Sequence, residues 1–560
     1  MSNQETKNAP EISQKKKISF FSAMLIVVGG SIGAGIFFKS ESVLSNSQSS
    51  LILAIFSWIL ASFAIICMAL ALIEIASVKN DNLSLISWAK IFTNRTLYNA
   101  TKNFMTYIYL PLTYFFMPLY VFLPLQDGLG ALINTDASPA VIGTQVDWLI
   151  WLIIALVLTV YFLTIPAFFS KVGDVQNKIV LSIKFIPLLF VALIGFVLAF
   201  SGHGGLQDVK AGIVIPSDGE LTPVAGATLS QVSGMGAFFG IFLSLTAIFF
   251  AYDGFYVAAG ISSEMKQPKK TPLAIFLGLG VTTIIYVVIA ISMSINGGSF
   301  TNMREQMISL FGGAGNQAAV KAGNTIYGLI NIFIAIGVLG IINGFSMWAP
   351  RFVEDLIAQG ELPYWQKFFR KLNSNKPKVG SLYSIAISIP IVVLFFIIGA
   401  YGYYPTVSYY DVYGGVTMHK LYSFADLMSN WTALFTFGFI SFAIFGALLN
   451  KKTNKIKINQ TVKGFKFFAA TSVALIWLAL SMQVIEPFAN IFSLAVLQKE
   501  GNPNYTSAVV SRVMTIVVLF IFIGLSFGPS IIEDKLHIKK YGSLANWEAE
   551  KSRILATAQV

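Results

Sequence analysis

Two short segments of this chain carry residue types suited to holding a charged ligand with backbone groups alone. The first is Val28-Gly29-Gly30-Ser31-Ile32-Gly33-Ala34-Gly35-Ile36-Phe37, and the second is Phe249-Phe250-Ala251-Tyr252-Asp253-Gly254-Phe255. Glycine costs roughly 1 kcal/mol relative to alanine inside a helix, so four glycines in the seven positions 29–35 favour unwinding. The second segment is a weaker break, with one acid beside one glycine. Both lie in apolar runs long enough to cross a bilayer, where unwound backbone is tolerated only against protein or a watery cavity. Together they predict a binding site inside a membrane.

The chemistry of the two breaks is complementary. Around Ser31, Ile32, Gly33, Ala34 and Gly35 a second half-helix starts afresh. Its unpaired amides and positive dipole end suit a carboxylate. Missing side chains at Gly33 and Gly35 would let a ligand reach the backbone. The second run enters from the opposite side, so its first half ends near Phe250 with free carbonyls and a negative dipole end, which suit an ammonium. One anion pole facing one cation pole fits a zwitterionic headgroup and leaves no unpaired side-chain charge buried. The competing reading is close packing: Gly29-x-x-x-Gly33 and Gly30-x-x-x-Ala34 are patterns that let helices approach.

The elements that must position these breaks are membrane helices. Hydrophobic residues make up 55% of the chain and charged residues 11%, with a mean hydropathy of +0.71; soluble domains are usually about 25% charged. Twelve apolar spans are expected, near 18–38, 51–77, 103–125, 148–169, 177–200, 236–258, 272–295, 325–348, 380–400, 424–448, 467–488 and 508–530. Lys15, Lys16 and Lys17 precede the first without a convincing cleavage site after it, so it is kept as a span. With the N-terminus inside, 30 of the 38 Lys and Arg fall on the inner side, seven on the outer side, and Lys184 within a span. This obeys the positive-inside rule and accounts for the net charge of +12 without nucleic acid. Basic clusters beside anionic lipid are the ordinary explanation.

The broken spans are numbers 1 and 6. Five helices per set is an odd number, so the two run in opposite senses, which points to an inverted repeat with its site at the repeat interface. The expected organisation is an inner tail over 1–17, a ten-helix core over 18–448, an inner loop and two peripheral helices over 449–530, and an inner tail over 531–560. Leu85–Phe92 is expected along the inner surface.

Other polar residues have plainer roles. Asp253 either recognises a cationic substrate, takes a proton, or caps unwound amides; capping is sufficient. Phe250 and Phe255 are pocket-wall candidates, with helix packing as the competitor. Glu74 can pair with a basic loop residue, and Asn343 and Ser346 are candidate neighbours of the site unless they bond within their helix. Three scattered histidines and the lone Cys67 give no metal site. No soluble cofactor is implied, and no catalytic constellation supports an enzyme.

Gly30-Ser31-Ile32-Gly33-Ala34-Gly35-Ile36-Phe37 resembles the first-helix motif of the amino acid–polyamine–organocation transporter superfamily. Phe250-Ala251-Tyr252-Asp253-Gly254-Phe255, continuing to Glu264-Met265-Lys266-Gln267-Pro268-Lys269-Lys270-Thr271-Pro272, resembles its sixth-helix motif and the loop after it. Lys184-Phe185-Ile186-Pro187-Leu188, Ala349-Pro350-Arg351 and Gly360-Glu361-Leu362-Pro363 match further. The Pro and paired Gly common after span 2 are absent from Val78-Lys79-Asn80-Asp81-Asn82-Leu83. The resemblance covers roughly residues 18–450. It implies an all-α integral membrane protein of the leucine-transporter-type five-plus-five inverted repeat, carrying amino acids by proton-coupled symport or exchange across the plasma membrane. Both breaks, Ser31–Gly35 and Phe250–Phe255, are then the substrate site. Lys184, about 10 Å into span 5 at 1.5 Å per residue, takes the place a sodium ion holds in symporters of that fold and serves proton coupling, with snorkelling to the inner surface along its four-carbon stem as the competing reading. A sodium-coupled symporter and, from another class, an ion channel are the alternatives.

Overall fold

The computed structural model describes residues 19–32, 35–47, 50–79, 81–133, 142, 144, 146–204, 237–256, 265–368, 371–373, 376–404, 415–496 and 505–558. Among these residues ten helices are long and apolar enough to cross a membrane: Leu51–Ala76, Arg95–Ile133, Asp147–Phe168, Lys171–Phe200, Thr271–Ser294, Gln317–Ala358, Lys378–Gly402, Thr417–Thr453, Phe465–Ala495 and Tyr505–Tyr541. Two apolar helices, Phe20–Gly29 and Phe238–Ala251, are shorter. All twelve fall on the expected spans and are numbered 1 to 12 along the chain. The two short ones are spans 1 and 6, the two that the sequence breaks.

Span 1 is built in halves, Phe20–Ser31 and Gly35–Asn46. At 1.5 Å per residue each half is about 18 Å long, short of the roughly 30 Å hydrocarbon layer, so only the two together cross it. The second half runs past Phe38, where hydropathy had placed the end of the span. Lys39 and Ser40 read as the start of a loop, yet both are buried.

The packing is two-fold in pattern. Span 1 lies on span 7 and span 6 on span 2; span 3 lies on span 9 and span 8 on span 4. Span 5 touches spans 7 and 8, and span 10 touches spans 2 and 3. Exchanging 1 with 6, 2 with 7, 3 with 8, 4 with 9 and 5 with 10 maps these contacts onto one another, which is the signature of the five-plus-five repeat; span 10 additionally touches spans 6 and 4. Spans 11 and 12 lie outside it, span 11 against spans 2 and 10 and span 12 against the start of span 3.

Three further features differ from or extend the sequence reading. Span 3 begins at Arg95, with Asn94 capping it by accepting from the Leu97 amide at 2.9 Å. It contains a π-helical turn over Met105–Tyr109, a local widening that re-aims side chains. Leu85–Phe92, the stretch placed along the inner surface by the sequence, is a separate short helix. The segment after 530 continues span 12 to Tyr541 and then forms a helix over Leu544–Ala558.

Candidate functional site

The first half of span 1 ends at Ser31, where the Ile32 amide still donates back to the Val28 carbonyl at 2.9 Å. A helix leaves its last carbonyls without partners, and that end attracts cations. Span 5 supplies one. The Lys184 ammonium donates to the carbonyl of Gly29 at 2.6 Å and to that of Ile32 at 3.1 Å. The lysine therefore occupies the break of span 1 and does not snorkel towards the lysine-rich side.

The second half starts at Gly35, and this glycine is needed for a close approach. A Cβ there would stand 2.8 Å from the Ala251 Cα, so the two broken spans touch backbone to backbone. Gly35 thus serves the packing of span 1 on span 6. Gly33 and Ala34, which carry the expected close-packing patterns and are also expected in the site, lie outside the described residues, as does the Ser31 side chain.

Span 6 ends at Ala251 in a run of tight turns. The Tyr252 amide donates to the Phe249 carbonyl at 3.1 Å, Asp253 to Phe250 at 3.1 Å, and Phe255 to Tyr252 at 3.2 Å. The Ala251 carbonyl accepts from the Tyr286 hydroxyl at 2.8 Å. The carbonyls expected to be free therefore each have one partner, and only a second lone pair on each remains for a ligand. Gly254 adopts φ +96°, a left-handed conformation that a residue with a Cβ rarely tolerates.

Asp253 organises this turn. One carboxylate oxygen accepts from the Gly254 amide at 2.9 Å and the other from the Tyr109 hydroxyl at 2.9 Å. Tyr109 closes the π-helical turn of span 3 and also lies 3.1 Å from the Tyr256 hydroxyl. Tyr252 contributes to the break through its backbone only. Its hydroxyl sits between Ser62 of span 2, at 2.7 Å, and Thr283 of span 7, at 3.0 Å. Phe255 packs on Phe437 of span 10, and Phe250 on Phe116 and Tyr120 of span 3. Asn343 and Ser346 are absorbed elsewhere: Asn343 donates to Gly173 and Asn177 of span 5, and Ser346 bonds Ile342 and Tyr114.

One cluster beside the breaks was not legible in the sequence. Lys39, in the second half of span 1, pairs with Asp426 of span 10 and meets Tyr120 Oη at 2.8 Å and Ser429 Oγ at 2.9 Å. The available signal was a Lys just beyond the apolar run of span 1 and an Asp within span 10; the fold closes the 387 residues that separate them in sequence.

On the lysine-rich side the charges are paired in a different way. Glu74 forms an ion pair with Lys451 at 2.7 Å and accepts from the Val462 amide at 2.7 Å, tying span 2 to the end of span 10 and the loop before span 11. Glu361 lies within 3.1 Å of Lys551, 3.3 Å of Lys90 and 3.5 Å of Lys102. Burial alone would raise its carboxyl pKa, but the three ammonium groups hold it down at about 2. A cavity of about 1060 Å³ opens there, lined by Lys90, Tyr98, Lys102, Glu361, Trp365 and Lys551 among others, and it shares no residue with the breaks.

The arrangement is that of a multi-pass membrane transporter, and a profile of the amino acid permease family matches residues 18–523. The chain belongs to the amino acid permease family. It is 51% identical over 98% of its length to an uncharacterized protein of Mycoplasma pneumoniae, of which it covers 99%. It is 25% identical to the serine/threonine exchanger SteT of Bacillus subtilis, over 63% of this chain and 70% of that one. It is 21% identical to the arginine/ornithine antiporter ArcD2 of Lactococcus lactis, over 70% and 75%. Among solved structures it is similar to a manganese transporter of Eremococcus coleocola, with 16% identity, a TM-score of 0.49, and coverage of 94% of this chain and 97% of that one.

Proposed function

We propose that the protein carries neutral α-amino acids across the plasma membrane by alternating access around the breaks in spans 1 and 6, coupled to protons or operating by exchange. The substrate carboxylate is held by the amides that open the second half of span 1, and the ammonium by the carbonyls at the end of span 6. The lysine-rich side is cytoplasmic, with both termini there.

The observation that carries this reading is the contact between the two breaks, Gly35 against Ala251, with Lys184 seated on the carbonyls of Gly29 and Ile32. A resident ammonium at those carbonyls does the work of a bound cation and would repel a sodium ion placed beside it. A lysine is able to take up and release a proton there, joining span 5 to span 1 when charged and freeing it when neutral. Asp253 is engaged by Tyr109 and Gly254, which favours capping over recognition of a substrate's side-chain charge. The relatives named a serine/threonine exchanger and an arginine/ornithine antiporter support amino acid transport and leave the side-chain class to the pocket of this chain.

The test is uptake by purified protein in proteoliposomes against a panel of labelled amino acids, with an imposed proton gradient, with sodium, or with a trans substrate. Saturable uptake of neutral amino acids driven by protons or by a trans substrate is expected. Sodium dependence, or flux that neither saturates nor exchanges, would remove this reading.

A further inference from the structure

We propose that Lys39 is a specificity-determining residue: a tethered cation that fills a cation cage at the edge of the site and thereby excludes substrates with cationic side chains. The inference rests on the transport of α-amino acids proposed above and goes further by naming what sets the side-chain class.

The cage is complete around the ammonium. Asp426 supplies a carboxylate, Tyr120 a hydroxyl at 2.8 Å and Ser429 a hydroxyl at 2.9 Å, while the Asp426 carbonyl lies at 3.4 Å. Two aromatic faces close it, the Phe250 ring with its centroid 4.5 Å from the ammonium and the Tyr120 ring at 5.4 Å. Carboxylate, hydroxyls and ring faces are together the groups that hold a desolvated cation. Lys39 itself is fully buried. Burying an ammonium is tolerable only with such partners, and removing one partner of a buried pair leaves an uncompensated charge.

The position of the cage gives it a consequence for substrate choice. Lys39 is four residues beyond Gly35 on the same half-helix, one turn or about 6 Å along the axis. Phe250, which carries one face of the cage, is the residue before Ala251, the contact of Gly35. A substrate whose headgroup sits in the breaks and whose side chain runs along span 1 therefore meets Phe250 and then the Lys39 ammonium. The side chains of arginine and lysine bring a like charge towards a buried ammonium whose carboxylate partner is already engaged, which is unfavourable by Coulomb repulsion where solvent does not screen it. Neutral side chains escape this penalty. Without the tether, Asp426, Tyr120, Ser429 and the two rings would offer the same cage to a substrate's own cation.

The experiment compares arginine and lysine uptake with uptake of the best neutral substrate in proteoliposomes. In the Lys39→Ala protein the ratio of cationic to neutral uptake should rise by about tenfold or more. The gain should vanish in Lys39→Ala/Asp426→Asn, which lacks the carboxylate. It should also be absent in Lys39→Met, whose uncharged stem keeps the cage filled. An unchanged ratio in a folded Lys39→Ala protein that still carries neutral substrate overturns the proposal, as does an equal gain in Lys39→Met. The wild type tests it without any variant: excess arginine or lysine should leave neutral uptake intact, and competition as strong as by a neutral amino acid overturns it. Should the wild type carry no amino acid at all, the transport reading itself falls, an outcome distinct from normal neutral uptake with no gain of cationic uptake.

Discussion

Lys184 and Gly29, 155 residues apart in sequence, are joined by a hydrogen bond of 2.6 Å from the lysine ammonium to the glycine carbonyl. The bond places a cation at the negative end of a half-helix and links span 5 to the break of span 1. The same ammonium also donates to the Ile32 carbonyl at 3.1 Å. In the coupling proposed above, loss of the lysine's proton releases the two elements from each other.

Lys184→Ala should therefore lower proton-driven uptake by about tenfold or more while substrate binding changes by far less. Replacing sodium with choline should leave wild-type uptake unaltered. Proton-gradient uptake and equilibrium binding, measured on the same preparation, check this. Full proton-driven uptake by the variant would make the lysine structural.

Gly35 faces the Ala251 backbone so closely that any Cβ must push the broken spans apart. Overpacking of this kind costs typically 1–3 kcal/mol. Gly35→Ala should weaken substrate binding, and Gly35→Leu should abolish it while the protein remains monodisperse. Gly33→Leu should likewise abolish it if that position is part of the anion pole. Undiminished binding by a folded Gly33→Leu protein would remove the anion pole from span 1.

Asp253 holds the turn of span 6 by accepting from Gly254 and Tyr109. Asp253→Asn should consequently weaken every neutral substrate alike, by roughly tenfold, the equivalent of about 1.4 kcal/mol. Tyr109→Phe, which removes one of its two donors, should do the same to a smaller degree. Competition binding across the substrate panel reads this; a selective loss of cationic substrates in the Asn variant would instead make Asp253 a charge-recognition residue.

Glu361 gives a pH-dependent prediction outside the membrane. Its pKa in the folded protein, about 2, lies below the ordinary 4.5 because Lys551, Lys102 and Lys90 surround it. A depressed carboxylate stabilises the fold above its unfolded pKa and loses that contribution as pH falls through its folded one. The thermal midpoint of the wild type should thus exceed that of Glu361→Gln by roughly 2 °C at neutral pH. The gap should narrow below about pH 4.5 and close near pH 2. A gap that is constant with pH would mean the three lysines act through packing alone.

The sequence by itself determined the membrane class, the number of spans and which two of them are broken. Each of these depends on local chemistry: a run of apolar side chains long enough for the bilayer, and glycines or an Asp-Gly pair that a continuous helix does not favour. Lys184 was also legible, as an ammonium too deep in span 5 to lack a partner. Tertiary structure alone decided what the exceptional residues touch. It put Ala251 against Gly35, turned the Tyr252 hydroxyl towards Ser62 and Thr283, gave the span 6 carbonyls to turn amides and Tyr286, and took Asn343 to span 5. It also kept Lys39 inside the protein, where hydropathy had ended the span. Hydropathy sums each residue as if alone, and Lys39 is acceptable in an apolar interior only because Asp426, Tyr120 and Ser429 arrive from spans 10 and 3. A buried charge is affordable only with its partners, and partners from distant spans meet only in the folded chain.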